Sequence, residues 1–426
     1  MTTITYPVIL RTFYACIWWL LLPLAVLHLL FRSVRQPAYR QFLNERFGCY
    51  KALLANPIWL HAASLGEVNA AAPLLRDLRA EHPNIALLIT CQTPAGRQSA
   101  QALMLDNCLC VYSPFDVAWA TRHFIRHFQP RLALIVETEI WPNLYLSAHQ
   151  ANVPLLIINA RMTKRSFQRY NKLPTLFAQT LALVDGIACQ TDADAQRFIA
   201  LGAKPANVSI SGNMKWDMRP AQSTIATAQL LRAKWPQRPI WLAASTHADE
   251  EPMVLAAHCE ILQQWPNALL LWAPRHSERF APVAALLTAQ KVIVSNRSID
   301  FEPTDQAQVF LIDTLGELQR FMPCADLVFV GGSLQNIGGH NVLEPAALGL
   351  PIIVGPYTQN FTEIIAVLKN ASAVCEVLDA NSLAKQLLHL LNSPNQASVL
   401  GQNALRCVQQ SLGALEKTKA LIAQRL

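Results

Sequence analysis

Leu327-Val-Phe-Val-Gly-Gly-Ser-Leu-Gln-Asn-Ile-Gly-Gly-His-Asn-Val-Leu-Glu-Pro-Ala-Ala347 reads as a buried strand over Leu327–Val330, a glycine-rich loop, and a helix that opens near Asn341. An uninterrupted apolar run bounded by glycines is the signature of a strand covered on both faces, as in a parallel sheet. Glycines let backbone approach a ligand closely, and a helix start offers unpaired N–H groups to a phosphate. Seven of the fifteen glycines fall between Gly316 and Gly355. Glu344 has the acceptor chemistry to hold ribose hydroxyls. The spacing is not GxGxxG, which argues against a plain NAD site.

The same alternation of apolar run and helical-period segment extends outward in both directions. It predicts strands at residues 58–62, 85–90, 132–136, 154–158 and 186–189, then at 240–244, 268–273, 292–294, 309–312, 327–330 and 351–354. Helical stretches intervene at 68–80, 117–127 and 193–200, and again at 250–264 and 361–368. This is the pattern of βα units around parallel sheets. Residues 212–222 (GNMKWDMRPAQ) lack periodicity, hold a proline and form the natural linker. The reading is an α/β protein of two facing, doubly wound, Rossmann-like domains: an anchor over 1–35, a first domain over 36–211, and a second over 223–426. Such domains bind ligands at the carboxyl ends of their strands.

At 426 residues, 52% hydrophobic and 15% charged, the chain is neither disordered nor coiled-coil, classes richer in charge than the usual share of about 25%. Of its net charge of +7, the first 60 residues hold +5, from six Lys/Arg against Glu45 alone. The remaining chain has no excess from which to build a nucleic-acid face. The ten cysteines include no CxxC, so neither a zinc framework nor a disulfide scaffold is indicated, and a reducing compartment fits best.

Residues 12–31 (TFYACIWWLLLPLAVLHLLF) carry no Lys, Arg, Asp or Glu. That length crosses about 30 Å of hydrocarbon at 1.5 Å per residue. Arg32, Arg35 and Arg40 follow, whereas Arg11 alone precedes, so the body is expected on the cytoplasmic side. The expectation is a single span or a deep anchor. A helix lying in the interface competes, because Pro23 and Arg11 shorten the clean span.

Three first-half segments offer chemistry. His61-Ala-Ala-Ser-Leu-Gly-Glu67 follows a strand and opens a helix, with Ser64 as cap, Gly66 as permissive backbone, and Glu67 in the first turn. Glu67 is either a complement to the helix dipole or a general base. Glu137-Thr-Glu-Ile-Trp-Pro-Asn143 places two carboxylates at a strand end. Glu137 or Glu139 could instead pair with Arg161, which ends the next strand. Lys215 stands out only through its place in the presumed hinge. In the second half, Pro274-Arg275-His276 ends a strand and brings a phosphate-binding guanidinium, and Asp313-Thr-Leu-Gly316-Glu317-Leu318 starts a further helix.

The segments HAASLGEV, ETEIWPNL, NARMTKRS, GNMKWD, PRHSERF, DTLGEL and GGHNVLEPAALGLP, in this order, resemble the 3-deoxy-D-manno-oct-2-ulosonic acid (Kdo) transferases of lipopolysaccharide synthesis. The resemblance implies a GT-B glycosyltransferase that moves Kdo from CMP-Kdo to the lipid A precursor, a tetraacylated disaccharide bisphosphate, on the bacterial inner membrane. It implies inversion at the anomeric carbon, with no cofactor and no metal at the reaction centre. By motif, Glu67 is similar to the family's proton acceptor, and Glu137 with Lys215 to its transition-state-stabilising pair. Pro274, Arg275 and His276, Gly316, Glu317 and Leu318, and Asn341, Val342, Leu343 and Glu344 are similar to its CMP contacts. Val342 stands where proline is expected, and Tyr357 where histidine is common. Arg32, Arg35, Arg40, Arg46 and Lys51 suit an anionic membrane and a bisphosphorylated acceptor, or serve only to set topology. Alternatives are a GT-B enzyme using a UDP-sugar, a sugar-nucleotide epimerase of the same architecture, and a non-catalytic nucleotide-binding protein.

Overall fold

The computed structural model describes residues 8–218 and 220–426, with side chains in the first helix from Tyr14 onward. The chain divides into two compact units, Met1–Asp217 with Gly413–Leu426, and Met218–Leu412. Each is built on a seven-stranded, all-parallel sheet.

The first unit contains β1 (Ile58–His61), β2 (Leu87–Cys91), β3 (Cys108–Tyr112), β4 (Leu132–Val136), β5 (Leu155–Ala160), β6 (Gly186–Cys189) and β7 (Val208–Ile210), in spatial order β3-β2-β1-β4-β5-β6-β7. Successive residues of the central strands go to opposite faces. Trp59, Ala133, Ile135, Leu155 and Ile157 enter one core. Ile58, Leu60, Leu132, Leu134, Val136, Leu156 and Ile158 enter the other. Both faces are thus apolar and covered by helices, which is why these strands read as continuous hydrophobic runs.

The second unit contains β8 (Ile240–Thr246), β9 (Leu269–Pro274), β10 (Val294–Asn296), β11 (Val309–Leu311), β12 (Leu327–Val330), β13 (Ile352–Val354) and β14 (Cys375–Glu376), ordered β10-β11-β9-β8-β12-β13-β14. Its core includes Trp241, Trp272, Leu270, Val309 and Phe329. In both units the strand order reverses beside the first strand, between β1 and β4 and between β8 and β12. Those reversals are the switch points at which open α/β sheets bind ligands.

The expected strands are present with ends shifted by at most two residues, and β4, β6 and β12 match in full. Three strands went unread: β3, β7 and β14. All lie at sheet edges, and they are short or only partly buried, so the apolar-run signal is weak there.

The boundary between units falls at Asp217, inside the expected linker, but the chain's last helix departs from the sequence reading. That reading carried the second domain to residue 426, whereas helix Ala414–Ala423 packs on the first unit. Its start is tied down by the Asp217 carboxylate, which accepts the N–H groups of Gly413 and Leu415, each at 2.6 Å. Gly413 turns the chain at φ 100°, and Ala414 and Ile422 join the core that holds Met214. Lys419 Nζ lies 3.3 Å from Asp77 and 2.5 Å from Glu81 on helix Leu65–Glu81. A returning C-terminal helix of this kind leaves no local signature.

Asp217→Ala removes a charged acceptor from two backbone donors at a helix start. It is expected to destabilise the first unit by about 1–3 kcal/mol, with Asp217→Asn intermediate. Urea unfolding of the three forms checks this, and an unchanged midpoint for the alanine form would remove the cap from the account.

Candidate active site

The turn after β1 carries Glu67. Ser64 caps helix Leu65–Glu81 from an extended conformation, its hydroxyl oxygen 3.4 Å from the Glu67 N–H. The Glu67 carboxylate reaches back, accepting the Ala63 N–H at 2.7 Å and the Ser64 hydroxyl at 2.9 Å. This is close to a capping box, so the dipole-complementing reading of Glu67 is realised in part. Burial and the nearby Glu139 and Glu137 push its carboxyl up to about 7. A group of that ionisation at a half-exposed strand end is suited to proton transfer near neutrality. Gly66 is not demanded by the fold: a Cβ there would meet nothing nearer than the Ser64 hydroxyl at 3.9 Å.

Glu137, Glu139 and Lys215 gather around the same strand ends. Glu137 follows β4 in a left-handed conformation, φ 60°, a strained placement for a residue other than glycine. Its Oε1 lies 3.4 Å from Lys215 Nζ. Lys215 sits on a short 3-10 turn, Met214–Trp216, held by the Met214 N–H donating to buried Asn159 Oδ1 at 3.0 Å. Glu139 Oε2 accepts from Trp141 Nε1 at 2.7 Å and from Gln92 Nε2 at 3.3 Å, and burial raises its carboxyl. Fully buried His61 lies beneath. Thr90 Oγ1 accepts the Trp59 indole N–H at 2.8 Å and is hydrogen-bonded to His61 Nδ1, also at 2.8 Å. The other ring nitrogen, Nε2, lies 4.0 Å from Glu139. Burial lowers His61 to about 4, so the ring is neutral at pH 7.

The second unit has its own cluster at the ends of β8, β9, β11 and β12. Its organiser is Glu250, which the sequence reading passed over. Its buried carboxylate accepts the N–H groups of Gly332 at 2.6 Å, His247 at 3.0 Å and Leu334 at 3.3 Å. Gly331 is required there, because a Cβ would lie 2.5 Å from Glu250 Oε1 and 2.7 Å from the Ser245 carbonyl oxygen. Above this loop His247 and His340 stack at 5.0 Å, their Nε2 atoms 2.8 Å apart, and His276 meets His247 edge-on at 5.3 Å. Arg275 is exposed beside them, its N–H donating to the Thr246 carbonyl at 3.0 Å. Burial and the neighbouring cations depress His247 and His340. The result is a rim of three imidazoles with the exposed Arg275 beside it.

Asn341 donates to Glu344 Oε1 at 3.0 Å and accepts the Leu343 N–H at 3.1 Å. Burial raises Glu344, which lines a cavity of about 250 Å³ together with Gln319, Met322, Ala221 and Thr224. Val342 and Leu343 are buried, so their side chains serve packing. The helix here is only Leu343–Ala347, five residues. So short a helix offers no long dipole, and the loop's Gly331, Gly332, Leu334 and Gly339 N–H groups are already committed inside the unit. Gly316 turns at φ 82°, and Glu317 is committed to Arg297 at 2.8 Å and Arg320 at 3.3 Å. Arg46 is also committed. It is buried, donates to the Gln92 carbonyl at 2.8 Å and stacks on Tyr112, which removes it from the set of membrane-facing cations.

The structure thus brings Glu67, Glu137 and Lys215 together in one unit, and Arg275, His276, Asn341 and Glu344 into the other unit's strand ends. His61, His247, Glu250 and His340 were missed. For His61, His247 and Glu250 the signal was position after or at the end of a first strand, and for His340 the loop after β12 across the reversal, visible only once the strand order is known.

Residues 41–218 match the family described as 3-deoxy-D-manno-octulosonic-acid transferase (kdotransferase), and residues 295–406 match glycosyl transferases group 1. The chain is 38% identical over 417 residues to the 3-deoxy-D-manno-octulosonic acid transferase of Haemophilus influenzae, covering 97% of this chain and 98% of that one. The C-terminal CMP-Kdo binding domain of WaaA from Acinetobacter baumannii is 33% identical, covers 44% of this chain and 98% of its own, and superposes with a TM-score of 0.43. A glycosyltransferase from Rickettsia africae shares the fold at 12% identity and a TM-score of 0.51, covering 88% of this chain and 99% of that one. Two parallel-sheet units in GT-B style, and near full-length identity to a curated relative, lead to one assignment: the chain belongs to the 3-deoxy-D-manno-octulosonic acid transferase family.

Proposed function

We propose that this glycosyltransferase moves Kdo from CMP-Kdo to the lipid A precursor, a tetraacylated disaccharide bisphosphate, with inversion at the anomeric carbon and Glu67 as general base. The observation that carries the reading is the ionisation of Glu67, raised to about 7 by burial and by Glu139 and Glu137 while two donors fix its orientation. At neutral pH roughly half of such a group is carboxylate, which matches the requirement for a base with pKa near the working pH.

In the proposed step Glu67 takes the proton of the acceptor hydroxyl as its oxygen forms a bond to the anomeric carbon. The bond from that carbon to the CMP phosphate oxygen breaks, and CMP leaves with the electron pair. Charge builds on the departing phosphate, and preorganised donors lower the cost. Arg275 and the His247–His340 pair suit that task, and the Glu344 cavity suits the nucleoside. Lys215, paired to Glu137 at 3.4 Å, keeps a cation at the strand ends that carry the acids. The apolar first helix, Val8–Arg35, supports attachment to a membrane; the inner membrane is part of the same proposal, and the cytoplasmic side rests on Arg32, Arg35 and Arg40 at the end of that helix.

Glu67→Gln is expected to leave CMP binding close to wild type and to lower transfer by roughly 10²–10⁴-fold. The assay is transfer from CMP-Kdo to the lipid A precursor; a rate near wild type would hand the proton to Glu137 or Glu139. For pH, the base works only when ionised, so kcat/KM should rise through about pH 7 and level off above it. Glu139→Gln removes a charge that holds Glu67 up, so the midpoint should move to lower pH; an unmoved midpoint would detach it from Glu67. Arg275→Ala should weaken CMP binding more than acceptor binding, by calorimetry against acceptor KM, and equal losses would make Arg275 structural.

A further inference from the structure

The first helix, α1 (Val8–Arg35), is apolar enough to cross a membrane, yet its contacts are incompatible with doing so. Tyr14 donates its hydroxyl to Asp116 Oδ2 at 2.7 Å, and the Trp18 ring lies 6.3 Å from Phe115 and 6.4 Å from Trp141. Asp116 is no flexible surface group: it is buried and caps helix Pro142–Gln150 by accepting the N–H groups of Asn143 at 3.1 Å and Leu144 at 2.7 Å. The other end of α1 also stays with the body, where Arg32 lies 4.1 Å over the ring of buried Tyr39. From Tyr14 to Arg35 a helix extends about 31 Å at 1.5 Å per residue, the full thickness of a hydrocarbon core. A spanning α1 would put Tyr14 and Asp116 on opposite sides of the bilayer.

Burial along α1 shows a lengthwise stripe. Tyr14, Trp18, Leu22, Val26, Leu29 and Ser33 are half-buried, at intervals of three or four residues. The opposite stripe, Leu20, Leu24, Leu27, Phe31 and Val34, is 60–81% exposed. One apolar face docks on protein and the other is left for another apolar phase. That explains a helix hydrophobic all round without requiring that lipid surround it. Exposed Arg32, Arg35 and Arg40 stand at its end, complementary to anionic headgroups.

We infer that α1 lies in the plane of one leaflet, docked on the first unit through Tyr14 and Trp18, with its Leu20–Leu24–Leu27–Phe31 face in the acyl chains. This rests on the membrane placement proposed above and settles its form: one leaflet, both helix ends on the same side as the body.

The test uses the full chain with protease-cleavable tags at both termini, reconstituted into vesicles of phosphatidylethanolamine and phosphatidylglycerol. Among chains whose C-terminal tag is cut without detergent, the N-terminal tag is expected to be cut to the same extent. An N-terminal tag protected until detergent is added would overturn the in-plane arrangement while keeping the membrane placement. Failure of the protein to float with the vesicles would overturn both.

Discussion

A parallel sheet apolar on both faces must be wrapped by helices on both sides, and this requirement governs nearly everything else in the molecule. Winding in two directions from a first strand puts helices on each face and leaves a reversal beside that strand, at β1 and again at β8. At a reversal the flanking connections diverge, and the strand ends between them stay open to ligand. Glu67 follows β1 and Glu137 follows β4; His247 follows β8 and the glycine loop follows β12. The candidate residues sit where covering the sheet leaves a gap.

Holding polar groups in such gaps requires partners for each. Buried Glu250 is matched to three backbone N–H groups, and Asp116 to two together with the Tyr14 hydroxyl. Each carboxylate fixes a turn that would otherwise leave donors unsatisfied in the interior. Burial nevertheless outweighs the donors at both, raising Glu250 above the usual carboxylate range and Asp116 to about 6. Around Glu67 two neighbouring carboxylates add to burial, and the group ends at about 7. What sets Glu67 apart is that like-charge crowding, together with its partial exposure.

Much of this was legible in the chain. Central strands announce themselves through unbroken apolar runs, and the order of Glu67, Lys215, Arg275 and Glu344 within recognisable segments points to the family from sequence alone. Of the edge strands only β10 announced itself, because β7 and β14 bury too little to need an apolar run and β3 is only partly buried. The roles of His247 and Glu250 were hidden for another reason. A histidine and an acid after a strand are unremarkable until that strand proves to be the one beside the reversal.

By itself, then, the sequence determined the fold class, the two-unit division near Asp217, the apolar character of the first helix and most candidate chemistry, since local pattern and periodicity encode these directly. Only the tertiary structure decided where chain-distant groups meet. It assigned residues 413–426 to the first unit through Asp217, and tied Arg46 to Gln92 and Tyr112. It set Glu137 against Lys215, and Tyr14 against Asp116. Each is a pairing across 46 to 198 positions of sequence, and such a pairing is specified by the packing of whole elements rather than by either residue's neighbours.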